Sequence, residues 1–368
     1  ENITLTHNSD RTMFDSKAHP DHSSDGLVAH ELAHQWFGDM ITTRNWANIW
    51  LNEGFATFFS RLYLTKDRGN DEGDYIRLGE IRSFKRADKN KRRPTVDFVY
   101  DEPFELFSSH VYAKGSLILT MLRDVIGEEG FWRSIRNYTN ENKLKNVETS
   151  DLKKIIEMTT GQNLDWFFKQ WLYEPGFPNY DVSWNYNQRK KELSIHVKQT
   201  QDLKTTSLFK MPIKIIVDSG EKKEHVIWVD NLDSVYKMKS DKRPKMVIFN
   251  SGQRVPSNLK MQKSVADLKY QLQNASNALD RIWSAKELSK KKGRKVVEYA
   301  LVEAAKNDPF WAVRSEAYSA LGRLKTNIVS EDIEWVKRKE LDNRVKRSFI
   351  RILKNQKNNL EVSKFLED

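Results

Sequence analysis

The chain has no cysteine among its 368 residues. That absence removes disulfides, thiolate zinc sites and cysteine nucleophiles together, and leaves the redox compartment open. Nor does any run approach the ~20 apolar residues that a membrane helix needs, so no transmembrane segment is expected. No charged-then-apolar leader is visible, and localisation is left unassigned. The net charge is +11, but no recognisable nucleic-acid motif accompanies it. Most of the excess falls after residue 262, with a dense run at Lys290, Lys291, Lys292, Arg294 and Lys295. It reads as a solvated helical face, and no nucleic-acid partner is expected. Aromatic residues are abundant: 11 Trp, 18 Phe and 12 Tyr within a hydrophobic fraction of 38%. That is enough for real cores, and the length calls for two or three domains.

The chemistry concentrates in Leu27-Val28-Ala29-His30-Glu31-Leu32-Ala33-His34-Gln35-Trp36-Phe37-Gly38. In a helix, His30 and His34 project from one face a turn apart and can share a zinc ion. Catalytic zinc takes three protein ligands and keeps one open position. The candidate third ligand is Glu53, in Trp50-Leu51-Asn52-Glu53-Gly54-Phe55-Ala56. Glu31 is then placed to take a proton from a zinc-activated water and return it to the leaving amine. A metzincin would need Gly and His at positions 37 and 40, where this chain has Phe37 and Met40.

Along the chain, the first twenty residues are polar, and His7, His19 and His22 read as ordinary surface histidines. Asp21 to Asp25 supplies capping residues for the motif helix, which is expected to end near Gly38. A second helix is expected from about Asn52 to Lys66, its face made by Phe55, Phe58, Phe59, Leu62 and Tyr63. Residues 67–100 are highly charged, with a loop at Arg92-Arg93-Pro94. Helical pattern resumes at Phe104 and runs to Tyr173, where Pro175-Gly176-Phe177-Pro178 stops it. Beyond Pro178 the period becomes two: Val182, Trp184 and Tyr186, then Leu193, Ile195 and Val197, then Ile213, Ile215 and Val217. Short antiparallel strands in a small sandwich or barrel are expected there. His196 and His225 on these strands read as structural. The last hundred residues are helical again. Ile282, Val313 and Val345 recur at roughly thirty-residue spacing, the range of helix-pair repeats such as HEAT repeats.

His30-Glu31-Leu32-Ala33-His34-Gln35-Trp36-Phe37-Gly38, Trp50 to Ala56 and Tyr112-Ala113-Lys114-Gly115 resemble the aminopeptidase N-like gluzincins. The likeness continues through Trp166-Phe167-Phe168-Lys169-Gln170-Trp171-Leu172 and Gly176-Phe177-Pro178, about half of the chain. The resemblance implies a multidomain α+β fold. Residues 1–178 would be a mainly helical, thermolysin-like zinc peptidase domain, 179–258 a small antiparallel β-sandwich, and 259–368 a HEAT-like helical array. It implies one Zn2+ per chain on His30, His34 and Glu53, Glu31 as general base, and Tyr112 steadying the oxyanion. Glu1, with Asn2, matches the end of the family loop whose glutamate binds the substrate's free α-amine. The substrates implied are peptides with a free amino terminus.

Two departures stand out. The family's upstream β-domain is absent, so an association with that missing domain is expected. Where the family often carries a carboxylate seven residues beyond the third ligand, this chain has Ser60. The alternatives are hydrolysis of another electrophile, such as an epoxide, at the same zinc, and a catalytically weak peptidase-fold scaffold that binds partners through its helical array.

Overall fold

The structure, a computed structural model, describes residues 2–3, 5–6, 8–327 and 329–353. It divides into two compact units, one made of Ser24–Met261 with the residues up to Met13, the other of Phe14–Ser23 with the residues from Gln262 on.

The first unit begins with helices α1 (Asp25–His34), α2 (Trp50–Arg68), α3 (Asn70–Asn90), α4 (Ala113–Ile126), α5 (Glu128–Asn142), α6 (Thr149–Thr160) and α7 (Asp165–Phe168). Two short strands, β1 (Thr42–Thr43) and β2 (Asn146–Val147), pair in parallel between them. Helix α1 stops at His34, four residues earlier than its apolar run suggests; Gly38 takes φ 143° and Phe37 instead bridges to Ile41. Ser24 does not cap it: its hydroxyl donates to the Thr12 carbonyl.

Helix α3 fills most of the charged stretch and lacks an obvious apolar stripe for a physical reason: part of its inward face is itself charged. Arg77, Glu80 and Asp88 are buried beside Leu78, Ile81 and Phe84. Their charges are matched. Arg61 of α2 donates to Glu80 at 2.9 Å and to Ser116 and Thr120 of α4 at 3.1 and 2.6 Å, while Arg77 pairs with Asp74 at 2.7 Å. A buried polar group is tolerated when its hydrogen bonds are made. Residues 104–112, expected to be helical, hold only a 3-10 turn over Pro103–Leu106 before α4.

Seven strands follow: β3 (Asn179–Asn187), β4 (Glu192–Gln199), β5 (Met211–Asp218), β6 (Lys222–Val229), β7 (Asp233–Lys239), β8 (Met246–Phe249) and β9 (Asn258–Met261). They form one sheet in the order β7-β4-β3-β9 and another in the order β6-β5-β8. Leu193, Ile195 and Val197 are buried on the first, and Ile213 and Ile215 on the second. Tyr180 of the first sheet meets Phe249 of the second at 5.2 Å between ring centroids. The expected antiparallel pattern has one exception, since β9 pairs with β3 in parallel. Strands β4 to β8 intervene between β3 and β9, so no tight hairpin joins the pair and forces it antiparallel. The strands dock on the helices through Trp171 against Phe209, Gln170 donating to the Lys210 carbonyl at 2.8 Å, and Arg77 donating to the Gly252 carbonyl.

The second unit contains α8 (Val265–Asn274), α9 (Ala278–Leu288), α10 (Lys295–Asn307), α11 (Trp311–Leu324), α12 (Ser330–Lys339) and α13 (Asn343–Leu353). Arg281 grips Asp308 through two bonds of 2.7 and 3.0 Å and donates to the Ala275 and Ser276 carbonyls. Thirty-three residues on, Arg314 repeats the pattern with Glu340 at 2.8 and 3.0 Å and the Asp308 and Pro309 carbonyls. Thirty-three further, Arg347 meets Asp21 of the Phe14–Ser23 segment. The whole is a mixed architecture of helices with small sheets, and no described helix is long and apolar enough to cross a membrane.

Candidate metal centre

Helix periodicity puts His30 and His34 on one side of α1, and α2 brings Glu53 to meet them. The two Nε2 atoms lie 3.1 Å apart, and Glu53 Oε2 is 3.2 Å from the first and 3.3 Å from the second. Among the described residues these three form the group that could hold a metal ion. The triangle fits zinc: with metal–ligand bonds of about 2.0–2.1 Å, neighbouring corners of a tetrahedron stand ~3.3–3.4 Å apart. Two imidazoles and one carboxylate are also the donor set of catalytic zinc.

Each ligand is held by the structure around it. His34 Nδ1 lies 3.0 Å from the Phe37 carbonyl, a contact that takes the ring proton on Nδ1 and turns the Nε2 lone pair toward the cleft. Phe37 in turn stacks on Phe55 at 4.4 Å and Phe59 at 5.1 Å, both on the helix that carries Glu53. Trp50, fully buried, donates to Thr149 at 2.9 Å, and Thr149 donates to Asn48 from both its amide and its hydroxyl. That lock fixes the start of α2. Burial works to raise the Glu53 carboxyl, but its hydrogen bonds to His30 and His34 outweigh it and hold it at about 2. The group is therefore an anionic donor throughout the neutral range.

Glycine explains how Tyr112 arrives. A Cβ on Gly54 would stand 2.9 Å from the Gly115 Cα, and one on Gly115 would stand 2.8 Å from the Gly54 Cα. Helices α2 and α4 thus cross backbone to backbone, one residue from Glu53 and three from Tyr112. The Tyr112 ring comes to 6.2 Å from the His30 ring. His30, Glu31, His34, Glu53, Ser60 and Tyr112 line one open cleft of about 640 Å³. Ser60 donates to the Gly26 carbonyl at 2.6 Å and so ties α2 to the first turn of α1.

Glu1 and His7 lie outside the described residues. Asn2 is described, and its carbonyl accepts from Gln35, next to His34, at 3.3 Å. His22 stacks on Phe14 in the other unit, and His196 meets Asp233. Phe37 is the supporting residue that the sequence reading passed over. Its service to His34 runs through a backbone carbonyl, which residue type does not reveal.

Comparison with known proteins supplies a second line of observation. Residues 1–171 match the peptidase family M1 domain. This stretch belongs to peptidase family M1. Over 160 residues the M1 region is 36% identical to a "Probable aminopeptidase 1" of Sulfurisphaera tokodaii, covering 42% of this chain and 20% of that protein. It is 37% identical over 158 residues to the "Tricorn protease-interacting factor F2" of Thermoplasma acidophilum, covering 41% and 20%. An "Aminopeptidase N" of Haemonchus contortus is 34% identical over 172 residues, covering 43% and 18%. The matched stretch thus spans about a fifth of the length of these relatives. Among solved structures, Legionella pneumophila aminopeptidase A in complex with aspartic acid superposes with a TM-score of 0.65 at 22% identity. That match covers 93% of this chain and 40% of the other, and it shows a shared fold that extends well past the M1 region.

Proposed function

We propose that the chain is a zinc-dependent aminopeptidase that removes residues from the amino end of peptides. One observation carries the reading: two imidazole nitrogens and a carboxylate oxygen converge within 3.3 Å in a cleft that Glu31 and Tyr112 also line. His30, His34 and Glu53 would hold one zinc ion. When bound, zinc supplies Lewis-acid polarisation of the scissile carbonyl and makes water acidic near neutral pH. Glu31 takes the proton of the attacking water and delivers it to the departing amine. The Tyr112 hydroxyl donates a hydrogen bond to the oxygen that gains charge in the tetrahedral intermediate. Names of the relatives support an amino-end specificity, for which Glu1 would bind the substrate amine as the resemblance implies.

Two further elements belong to the reading. Helices α8 to α13 form a HEAT-like array, supported by the Arg281 and Arg314 clamps repeating at one spacing. An upstream β-domain associates with the chain, supported by Val28, Leu32 and Trp36, which stand half exposed at four-residue intervals along α1 and its continuation. The direct assay is release of a chromogenic anilide from an aminoacyl substrate. Turnover should vanish with a chelator, return with zinc, and fall at least ~10³-fold in Glu31→Gln. Hydrolysis that survives both treatments would refute the mechanism.

A further inference from the structure

Tyr112 stands at a joint: it ends a turn over residues 108–112 and immediately precedes α4. The Ser108 carbonyl accepts from the Val111 and Tyr112 amides at 2.9 and 3.2 Å, and the Tyr112 carbonyl accepts from the Ser116 amide at 3.0 Å. Helix α3 lies against this turn. Its Ser83 meets Ser109 at 2.8 Å between hydroxyl oxygens, and the Phe84 ring meets the His110 ring edge-on at 5.7 Å and the Lys114 ammonium at 5.2 Å. One turn further along α3, Asp88 faces His110, with 3.6 Å between Oδ1 and Nε2. We infer that His110, set against Asp88, is a positioning residue for Tyr112: the pair fastens the turn to α3 and so fixes the direction of the Tyr112 hydroxyl. The inference rests on the oxyanion role proposed for Tyr112 and adds to it a residue that the chemistry above does not use.

Burial is the first argument. Asp88 and His110 are each only 2% exposed, and neither Asp88 Oδ1 nor His110 Nε2 has another hydrogen-bond partner. A buried polar atom left alone costs about 1–3 kcal/mol, so each of the two atoms is the relief available to the other. Charge is the second. Burial works to raise the Asp88 carboxyl, but His110 beside it and the charges of Arg92 and Lys114 outweigh burial and hold it below the ordinary carboxylate range. Arg92 takes the other oxygen, Oδ2, at 3.1 Å, which leaves Oδ1 for the ring. Direction is the third. An anion opposite Nε2 puts the ring proton there, and the Ser108 hydroxyl then donates to Nδ1 at 3.2 Å while accepting from the His110 amide at 3.3 Å. One ring nitrogen thus faces α3, and the other engages the residue whose carbonyl takes the Tyr112 amide. An apolar side chain of the same size would fill the space and do neither.

The test labels the full chain with fluorotyrosine and reads fluorine NMR, the Tyr112 line being assigned by its loss in Tyr112→Phe. In His110→Leu that line should move or split while the lines of the other tyrosines stay in place. His110→Gln, whose amide can still donate to Asp88, should restore it. Ser108→Ala leaves every buried charge in place; it should move the same line by less, and it carries the test alone should His110→Leu fail to fold. A Tyr112 line unmoved in every folded variant would overturn the inference. Anilide hydrolysis with zinc is the second readout. In His110→Leu kcat should fall about 10–100-fold with KM little changed, and in a Tyr112→Phe background the same change should cost less than about twofold more. A loss that repeats undiminished in that background would place the action of His110 elsewhere and overturn the inference as well. A responsive fluorine line without chelator-sensitive hydrolysis would refute the hydrolase reading and leave the positioning standing. Chelator-sensitive hydrolysis with an unmoved line would do the reverse.

Discussion

Phe37 serves the centre twice, through its carbonyl to His34 and through its ring to Phe55 and Phe59. Truncating it to alanine keeps the carbonyl but removes the stack that holds it in place. Phe37→Ala should cost about 3–5 kcal/mol of stability and weaken zinc binding ~10–100-fold, measured by thermal melts and by competition with a chromogenic chelator. A melt without an affinity change would show that the ring does not position the ligand. Lys114 illustrates a charge that the fold pays for. Burial holds its ammonium down to about 7 from an ordinary 10.5, against a smaller upward pull from Asp88. Below pH 7 both folded and unfolded chains are protonated there, and the full burial penalty is present. Between about 7 and 10.5 the unfolded chain binds more protons, so this residue makes stability rise with pH across that window. The slope is at most about 1.4 kcal/mol per pH unit. Lys114→Met should be more stable at pH 7 and should lose that slope; urea midpoints at pH 7 and pH 9 decide it.

At the scale of elements, the turn just after the motif helix is joined to α2 by ring stacking, while α2 and α4 are joined by the absence of side chains. Gly115→Ala forces a methyl to within 2.8 Å of the Gly54 Cα, and neither backbone can swing aside as a flexible side chain would. The expected loss is about 1–3 kcal/mol or more, and hydrolysis should fall further than stability because Tyr112 moves with α4. Full activity in Gly115→Ala would show that the crossing does not set the Tyr112 position. Helix α1 and the first part of α2 were legible because their histidines and aromatic residues repeat at helical spacing. Helix α3 was not, because Arg77, Glu80 and Asp88 occupy inward positions that a hydrophobic pattern requires to be apolar. Burial of Glu80 is tolerable because Arg61 of α2 reaches it, and that of Arg77 because the Gly252 carbonyl accepts from it beside Asp74 of its own helix; the partners from outside α3 are a tertiary fact.

At the scale of the whole molecule, the division into two compact units predicts two calorimetric transitions. Zinc at a hundredfold excess over its dissociation constant should stabilise the unit that carries the centre by ~2.7 kcal/mol. Only the transition containing His30, His34 and Glu53 should rise, while Arg314→Ala should lower only the other. A single transition that zinc shifts as a block would contradict the division. The segment Phe14–Ser23 belongs with the later helices although it immediately precedes α1, and Arg347 on α13 meets its Asp21. A contact across more than three hundred residues leaves no local signature, so no pattern in the sequence announces it.

The sequence by itself determined the candidate donor set and its order. Imidazoles four apart must share a helix face, and a carboxylate in the first turn of the next helix was the available third donor. Period-two runs likewise announced the strands. Tertiary structure alone decided the mutual distances of 3.1 to 3.3 Å, the carbonyl that orients His34, and the glycine crossing that delivers Tyr112. The reason is physical: residue types fix which donors exist and which face of an element they take. Their convergence depends on how closely the backbones of α1, α2 and α4 approach, and packing sets that.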